Sequence, residues 1–247
     1  MVFHYAQKET MKHGCATFGL PALVLAGWLA AFVLPADAAE THALDPALAA
    51  LGWAELAIPG KTPAIYRLTG DGDLEARSKA GVSILYRALT PKERNGRVLT
   101  WRWRVDEAVP ATDPAEAGKD DRDLAVHIWF PDDEDVGFWK GLGRAVANLL
   151  GIPRVGKALT YAFGGTGERH RRLANPHHDP GGVLVLLRPT GTEIGKWFRE
   201  QIDFAADFEQ AFGKAPPKPM YVAVSTDSDD TGTRAVGRIA ELMFHEK

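Results

Sequence analysis

Short runs rich in Val, Ile, Leu and aromatic side chains, separated by Gly, Pro, Asn and Asp, follow one another with no regular alternation of strand and helix. That pattern predicts an all-β protein, an antiparallel β-sandwich of jelly-roll type with one or two short inserted helices. The clearest strand runs are 65–68, 82–86, 98–105, 124–130, 159–163, 183–187, 221–225 and 234–244. Ahead of them, Asp45 is placed to cap a short helix over 46–51. Two later segments keep the helical period. In 137–151, Phe138, Leu142, Val146, Leu149 and Leu150 recur at helical spacing, and Gly151 and Pro153 end the run. This segment is expected to cover one end of the sandwich. Its alternative is a helix lying on a membrane surface, with Trp139 and Lys140 beside the apolar stripe but few cations on the polar face. In 203–212, Phe204, Phe208 and Ala211 share a face, and Gly213 is a natural stop.

The N-terminus has the three parts of a secretory signal peptide. His4, Lys8, Lys12 and His13 form a basic start, 16–34 is an apolar middle, and Ala36-Asp37-Ala38 is a small-x-small end. Cleavage is expected after Ala38, leaving 39–247 as a single domain in the periplasm or outside the cell. Met11 stands as an alternative start to Met1. A retained anchor is the competing reading of 16–34, which approaches the length that spans a bilayer, although Pro21 and the Ala-Asp-Ala exit favour cleavage. Cys15, the chain's one cysteine, precedes the apolar run, so the exported part carries no disulfide and its stability must come from a packed core. The chain has 29 Lys+Arg, 32 Asp+Glu and a net charge of −3, without the basic balance of a nucleic-acid binder. Residues 1–38 contain two lysines and two acids, so cleavage leaves the charge unchanged.

No GxSxG elbow, P-loop, dinucleotide fingerprint or HExxH pattern occurs. Candidate site residues therefore come from strand faces and acidic turns. In 100–106, alternation puts Trp101, Trp103 and Val105 on one side, and Arg102, Arg104 and Asp106 on the other. The indoles suit a core, while the guanidinium forks suit a carboxylate, phosphate or sugar hydroxyl. Further on, Asp120-Asp121 leads into the strand 124–130, whose less apolar side carries His127 and Trp129. A ring beside an imidazole suits one wall of a saccharide site. Asp227-Ser228-Asp229-Asp230-Thr231-Gly232 resembles the opening of a calcium loop, but Arg238 stands where an EF-hand needs its bidentate Glu. Two readings remain for it: an acidic β-turn, or a shorter calcium loop completed by distant ligands such as Asp120 and Asp121. The stretch 168–179, with His170, His177 and His178, reads as a solvated loop rather than a zinc site.

Five pieces occur in the order found in a bacterial exported family, Domain of Unknown Function 3047, and together the chain resembles that family. They are Trp101 with Trp103-Arg104-Val105, Asp120-Asp121 before 124–130, Leu159-Thr160-Tyr161-Ala162-Phe163, Phe212-Gly213 with Pro216-Pro217, and the turn 227–232. The chain departs from the family pattern at several points. Ala125 and His127 stand where the family has Arg and Tyr, Ile202-Asp203 where it has Arg-Asn, Asp230 where it has Asn, and Ile239-Ala240-Glu241 where it has Tyr-Gly-Asp. The resemblance implies an exported β-sandwich related in shape to galactose-binding or lectin-like jelly rolls, and the family has no established activity.

The expected function is a non-catalytic binding module for a carbohydrate or another small polar ligand. Arg102, Arg104, His127 and Trp129 would form its face, and Asp120, Asp121, Asp227 and Asp229 a strand-end rim, with calcium as the one cofactor considered. The rivals are an envelope-glycan enzyme using two of those aspartates as acid and base, for which carboxyls roughly 5 to 9.5 Å apart in a cleft are needed, and a structural envelope protein.

Overall fold

The structure, a computed structural model, describes residues 43–131, 155–178 and 180–246; the leader and the helix expected at 137–151 lie outside the described residues. Two sheets stack on each other. In the larger, β1 (Trp53–Ala57), β4 (Val82–Ala88), β6 (Arg122–Phe130), β7 (Lys157–Phe163), β8 (Arg171–Ala174), β9 (Gly182–Arg188) and β11 (Tyr221–Asp227) lie in the order β1-β4-β11-β6-β7-β9-β8. The smaller holds β2 (Ile65–Leu68), β3 (Leu74–Lys79), β5 (Val98–Glu107), β10 (Phe198–Asp203) and β12 (Arg234–His245) in the order β10-β5-β12-β3-β2. The fold is thus a β-sandwich, as expected. One pairing departs from the all-antiparallel expectation: β9 runs parallel to β7. After β7 the chain passes to the sheet edge as β8 and returns as β9 between the two, so β9 is antiparallel to β8 and parallel to β7.

Period-two alternation decides what lies between the sheets. From β5 come Leu99, Trp101, Trp103 and Val105, from β6 Leu124, Val126, Ile128 and Phe130, and from β7 Leu159, Tyr161 and Phe163, all in one buried cluster. The indoles of Trp101 and Trp103 meet edge to face at 5.3 Å, and each touches an aromatic ring of β7 across the interior, Tyr161 at 5.8 Å and Phe163 at 5.4 Å. Trp103 Nε1 donates to Glu200 Oε1 at 3.1 Å, so its polar atom is satisfied inside the core.

The two short helices expected within the described residues form. In α1 (Pro46–Ala50), Asp45 caps the first turn by accepting from Ala47 N. In α2 (Phe204–Phe212), Asp203 accepts from Ala206 N, and Gly213, at φ 68°, supplies the left-handed exit that a side chain would resist. Phe204 and Phe208 of α2 cap the core beside Phe130. Among the described residues, no helix is long and apolar enough to cross a membrane.

Trp103 packs on Phe163 of the opposite sheet and bonds Glu200 of the neighbouring strand in its own. Trp103→Ala is therefore expected to cost about 3–5 kcal/mol, read from the denaturant midpoint at unchanged slope. A loss below about 1 kcal/mol would show that the sandwich does not depend on this contact.

Candidate functional site

The side of the seven-stranded sheet turned away from the core is also covered. Trp129, Ala158, Val155 and Ala223 form a second buried cluster there, joined by Leu56, Ile84, Tyr86 and Tyr221. Between this cluster and the strand ends, a cavity of about 260 Å³ opens over β4, β11, β6 and β7. One end is apolar, with Leu56, Ile84, Trp129, Val155 and Ala158; the other is lined by Asp120, Arg122, His177, Asp227, Asp229 and Asp230. Thr160, Asn175 and Ser225 also line it.

A local irregularity builds the polar end. Ser225 of β11 pairs with Ala125 of β6, yet Asp227 pairs with Arg122, so two steps on β11 span three on β6. Strict alternation from His127 would send residue 122 inward; the extra residue turns Arg122 to the cavity side, opposite Asp227. Its Nη2 donates to Asp120 Oδ2 at 2.9 Å and to Asp227 Oδ2 at 3.4 Å, joining two acids 107 positions apart in the chain. Arg122, Asp120 and Asp227 are all buried. Asp120 also accepts from Gly118 N at 3.3 Å and bonds His177 Nε2 at 3.0 Å.

Asp121 holds the rim turn instead. Its Oδ1 accepts from Asp230 N at 3.1 Å, and its Oδ2 from Thr231 N at 2.8 Å and Thr231 Oγ1 at 2.7 Å, clamping the 227–232 turn. Lys61, on the connection between β1 and β2, ion-pairs with Asp229.

These surroundings set the charges. Burial works to raise Asp120, but the His177 hydrogen bond and the Arg122 charge outweigh it and hold the carboxyl below its ordinary value. Burial pushes Asp227 up to about 8; Arg122 pulls against this, while the carboxyls of Asp229 and Asp121 add to it. Two acids on one guanidinium are thus biased in opposite directions. Burial, helped by the charges of Arg122 and His178, lowers His127 to about 3, so its ring is neutral at physiological pH.

The neutral imidazole is fully engaged, with Nδ1 2.9 Å from Thr160 Oγ1 and Nε2 2.9 Å from Ser225 Oγ. A neutral ring has one N–H and one lone pair, so one hydroxyl donates to it and the other accepts. The accepting hydroxyl keeps its own hydrogen for another acceptor, and Thr160 and Ser225 both line the cavity.

Of the residues singled out in the sequence, Asp120, Asp227, Asp229, His127 and Trp129 line one cavity, and Asp121 braces its rim turn. Arg102 and Arg104 do not join them. β5 belongs to the five-stranded sheet and turns its indoles to the core, so the arginines face outward on the opposite side of the sandwich. There Arg102 pairs with Glu241 at 3.0 Å and lies over the Trp197 ring at 4.8 Å, and Arg104 pairs with Asp106 at 2.5 Å. The expectation of one shared face for Arg102, Arg104, His127 and Trp129 is corrected accordingly. Sequence reasoning missed Lys61, Arg122, Asn175, His177 and Asp230. The Asn175-Pro176 turn was the available signal for His177: Asn175 Oδ1 accepts from His177 N at 3.0 Å and presents the imidazole to Asp120.

Fold and site together define a β-sandwich protein with a polar-ended cavity on the outer side of one sheet. The chain belongs to the family described as Protein of unknown function (DUF3047), whose profile matches residues 51–243. No curated protein matches it. Among solved structures it is similar to the xyloglucanase domain of NopAA, a type three effector from Sinorhizobium fredii, in complex with cellobiose. That likeness has a TM-score of 0.44 and 9% identity, and covers 79% of this chain and 93% of that one.

Because His127 is neutral when folded and has an ordinary value of 6.5 when unfolded, only the unfolded chain takes up its proton between these limits. Its contribution to stability is complete above pH 6.5 and is lost as pH falls toward 3, at up to about 1.4 kcal/mol per pH unit. His127→Gln is expected to flatten the acid limb of stability against pH by that slope, measured by urea unfolding at pH 7 and pH 5. Identical slopes for the two proteins would contradict the assignment.

Proposed function

We propose that this protein is an exported, periplasmic module that binds a carbohydrate, or another small polar ligand of that size, in the cavity of the seven-stranded sheet without transforming it. The observation that carries this reading is the division of one cavity into an apolar end around Trp129 and a polar end of carboxylates, hydroxyls and an amide. A sugar ring has the same division: C–H faces that pack on aromatic and aliphatic surface, and a hydroxyl rim that needs donors and acceptors. Ser225, Thr160 and Asn175 supply neutral partners, and Asp120 is held as an acceptor. The export reading is supported by the basic start, the apolar run at 16–34 and the Ala36-Asp37-Ala38 end.

Calorimetric titration with neutral mono- and disaccharides is expected to give saturable binding. Ser225→Ala should weaken it about 2- to 10-fold, the worth of one hydrogen bond, while Arg104→Ala leaves it unchanged. Absence of binding across the panel, or equal effects of the two variants, would sink the reading. For export, the mass of the periplasmic chain should correspond to a start at Ala39; recovery of the intact chain in the membrane fraction would reverse it.

A second reading, an enzyme acting on envelope glycans, is favoured by one observation. Asp120 is biased toward the ionised form and Asp227 toward the protonated form in the same cavity, the division of labour that acid–base chemistry uses. Release of reducing ends from envelope glycan, abolished by Asp227→Asn, would replace the binding reading with this one.

A further inference from the structure

The acidic turn does more than line the cavity. One carboxyl oxygen from each of Asp121, Asp229 and Asp230 lies within 4.8 Å of the others. Oxygens that share a calcium ion at 2.3–2.6 Å are separated by no more than about 5 Å, so this spacing already suits a common cation. The three come from two chain segments brought together by the Asp121 clamp on the turn.

A separate observation points to the same place. Asp227 is 7% exposed; its Oδ2 accepts from Arg122 at 3.4 Å, while its Oδ1 is buried with no hydrogen-bond partner. An orphaned buried carboxyl oxygen beside three converging ones is costly unless it meets a donor or a cation. Among the described residues, five carboxyl groups, of Asp120, Asp121, Asp227, Asp229 and Asp230, face the cations of Arg122 and Lys61. Arg122 serves Asp120 and Asp227. Lys61 reaches only the Asp229 side from a connection where its side chain is 42% exposed, and it acts there as a tethered, displaceable cation.

We propose that this protein binds one divalent, oxygen-seeking cation of the calcium class at the acidic end of the cavity, with Asp121, Asp229 and Asp230 as ligands and Asp227 completing the set. Aspartates on a tight turn plus one from a distant segment form an all-oxygen donor set, which calcium accepts with water filling the remaining positions. Lys61 competes with the ion for Asp229.

The test uses the purified full chain, stripped with EDTA, with calcium, magnesium and manganese chloride as the only additions. Calcium is expected to bind once per chain by calorimetry and to raise the melting temperature saturably. Asp230 is exposed, so Asp230→Asn keeps the fold and should weaken calcium at least about 10-fold by removing a charged ligand. Lys61→Met should tighten it several-fold, an effect that a merely structural role for these acids would not produce. Failure of all three cations to bind, or calcium affinity unmoved by both substitutions, would overturn the proposal. No saccharide is present, so this result stands or falls apart from the ligand reading above.

Discussion

Arg122 is the hinge of the site. Its guanidinium is buried between Asp120 and Asp227 and bonds to both. Removing Arg122 leaves the buried Asp120 carboxylate without its guanidinium and costs several kcal/mol. The irregular pairing of β6 with β11 is what delivers Arg122 to the cavity side. The backbone defect and the ion group are therefore one feature: without the extra residue, the cation would point into an apolar core that could not hold it.

From that group the rest of the polar end follows. Asp120 recruits His177 from the 175–178 turn and so closes one wall. Asp227 sits against Asp229, which engages Lys61 from the β1–β2 connection on the other wall. Beneath, His127 fixes the Thr160 and Ser225 hydroxyls, because a ring that cannot take a second proton must divide its two bonds between donor and acceptor. The cavity floor is rigid for the reason the core is rigid: the same strands that present these polar groups outward hold Val126, Ile128, Tyr161 and Val224 inward. Rotating one set would rotate the other.

Much of the sandwich was legible in the residues. Residues 98–105 and 124–130 alternate cleanly with aromatic and aliphatic residues on the inner side, the Asp45 cap marks α1, and the Phe204, Phe208 and Ala211 face with the Gly213 stop marks α2. What escaped did so for physical reasons. β3, LEARSK, and β10, FREQID, bury Glu75 and Glu200. Their burial depends on Arg77 and Arg238 for one, and on Arg188 and Trp103 for the other, contacts that no local pattern announces. The site was legible as residue types but not as an assembly. Asp120, His127, Trp129 and Asp227 stood out singly, while their convergence rests on strand order. Arg122 was hidden by the same shift that makes it useful, and Arg102 and Arg104 misled because alternation gives a side of a strand, not a side of the sandwich.

The proposed ligand site is the cavity of the seven-stranded sheet, and not the arginine-bearing side of the other sheet. Backbone amide spectra recorded while glucose, galactose, N-acetylglucosamine and their β-linked disaccharides are added measure this directly. The account predicts concentration-dependent shifts confined to residues around His127, Thr160, His177 and Ser225. Shifts centred on Arg102, Arg104 and Trp197, with the cavity residues unmoved, would contradict it.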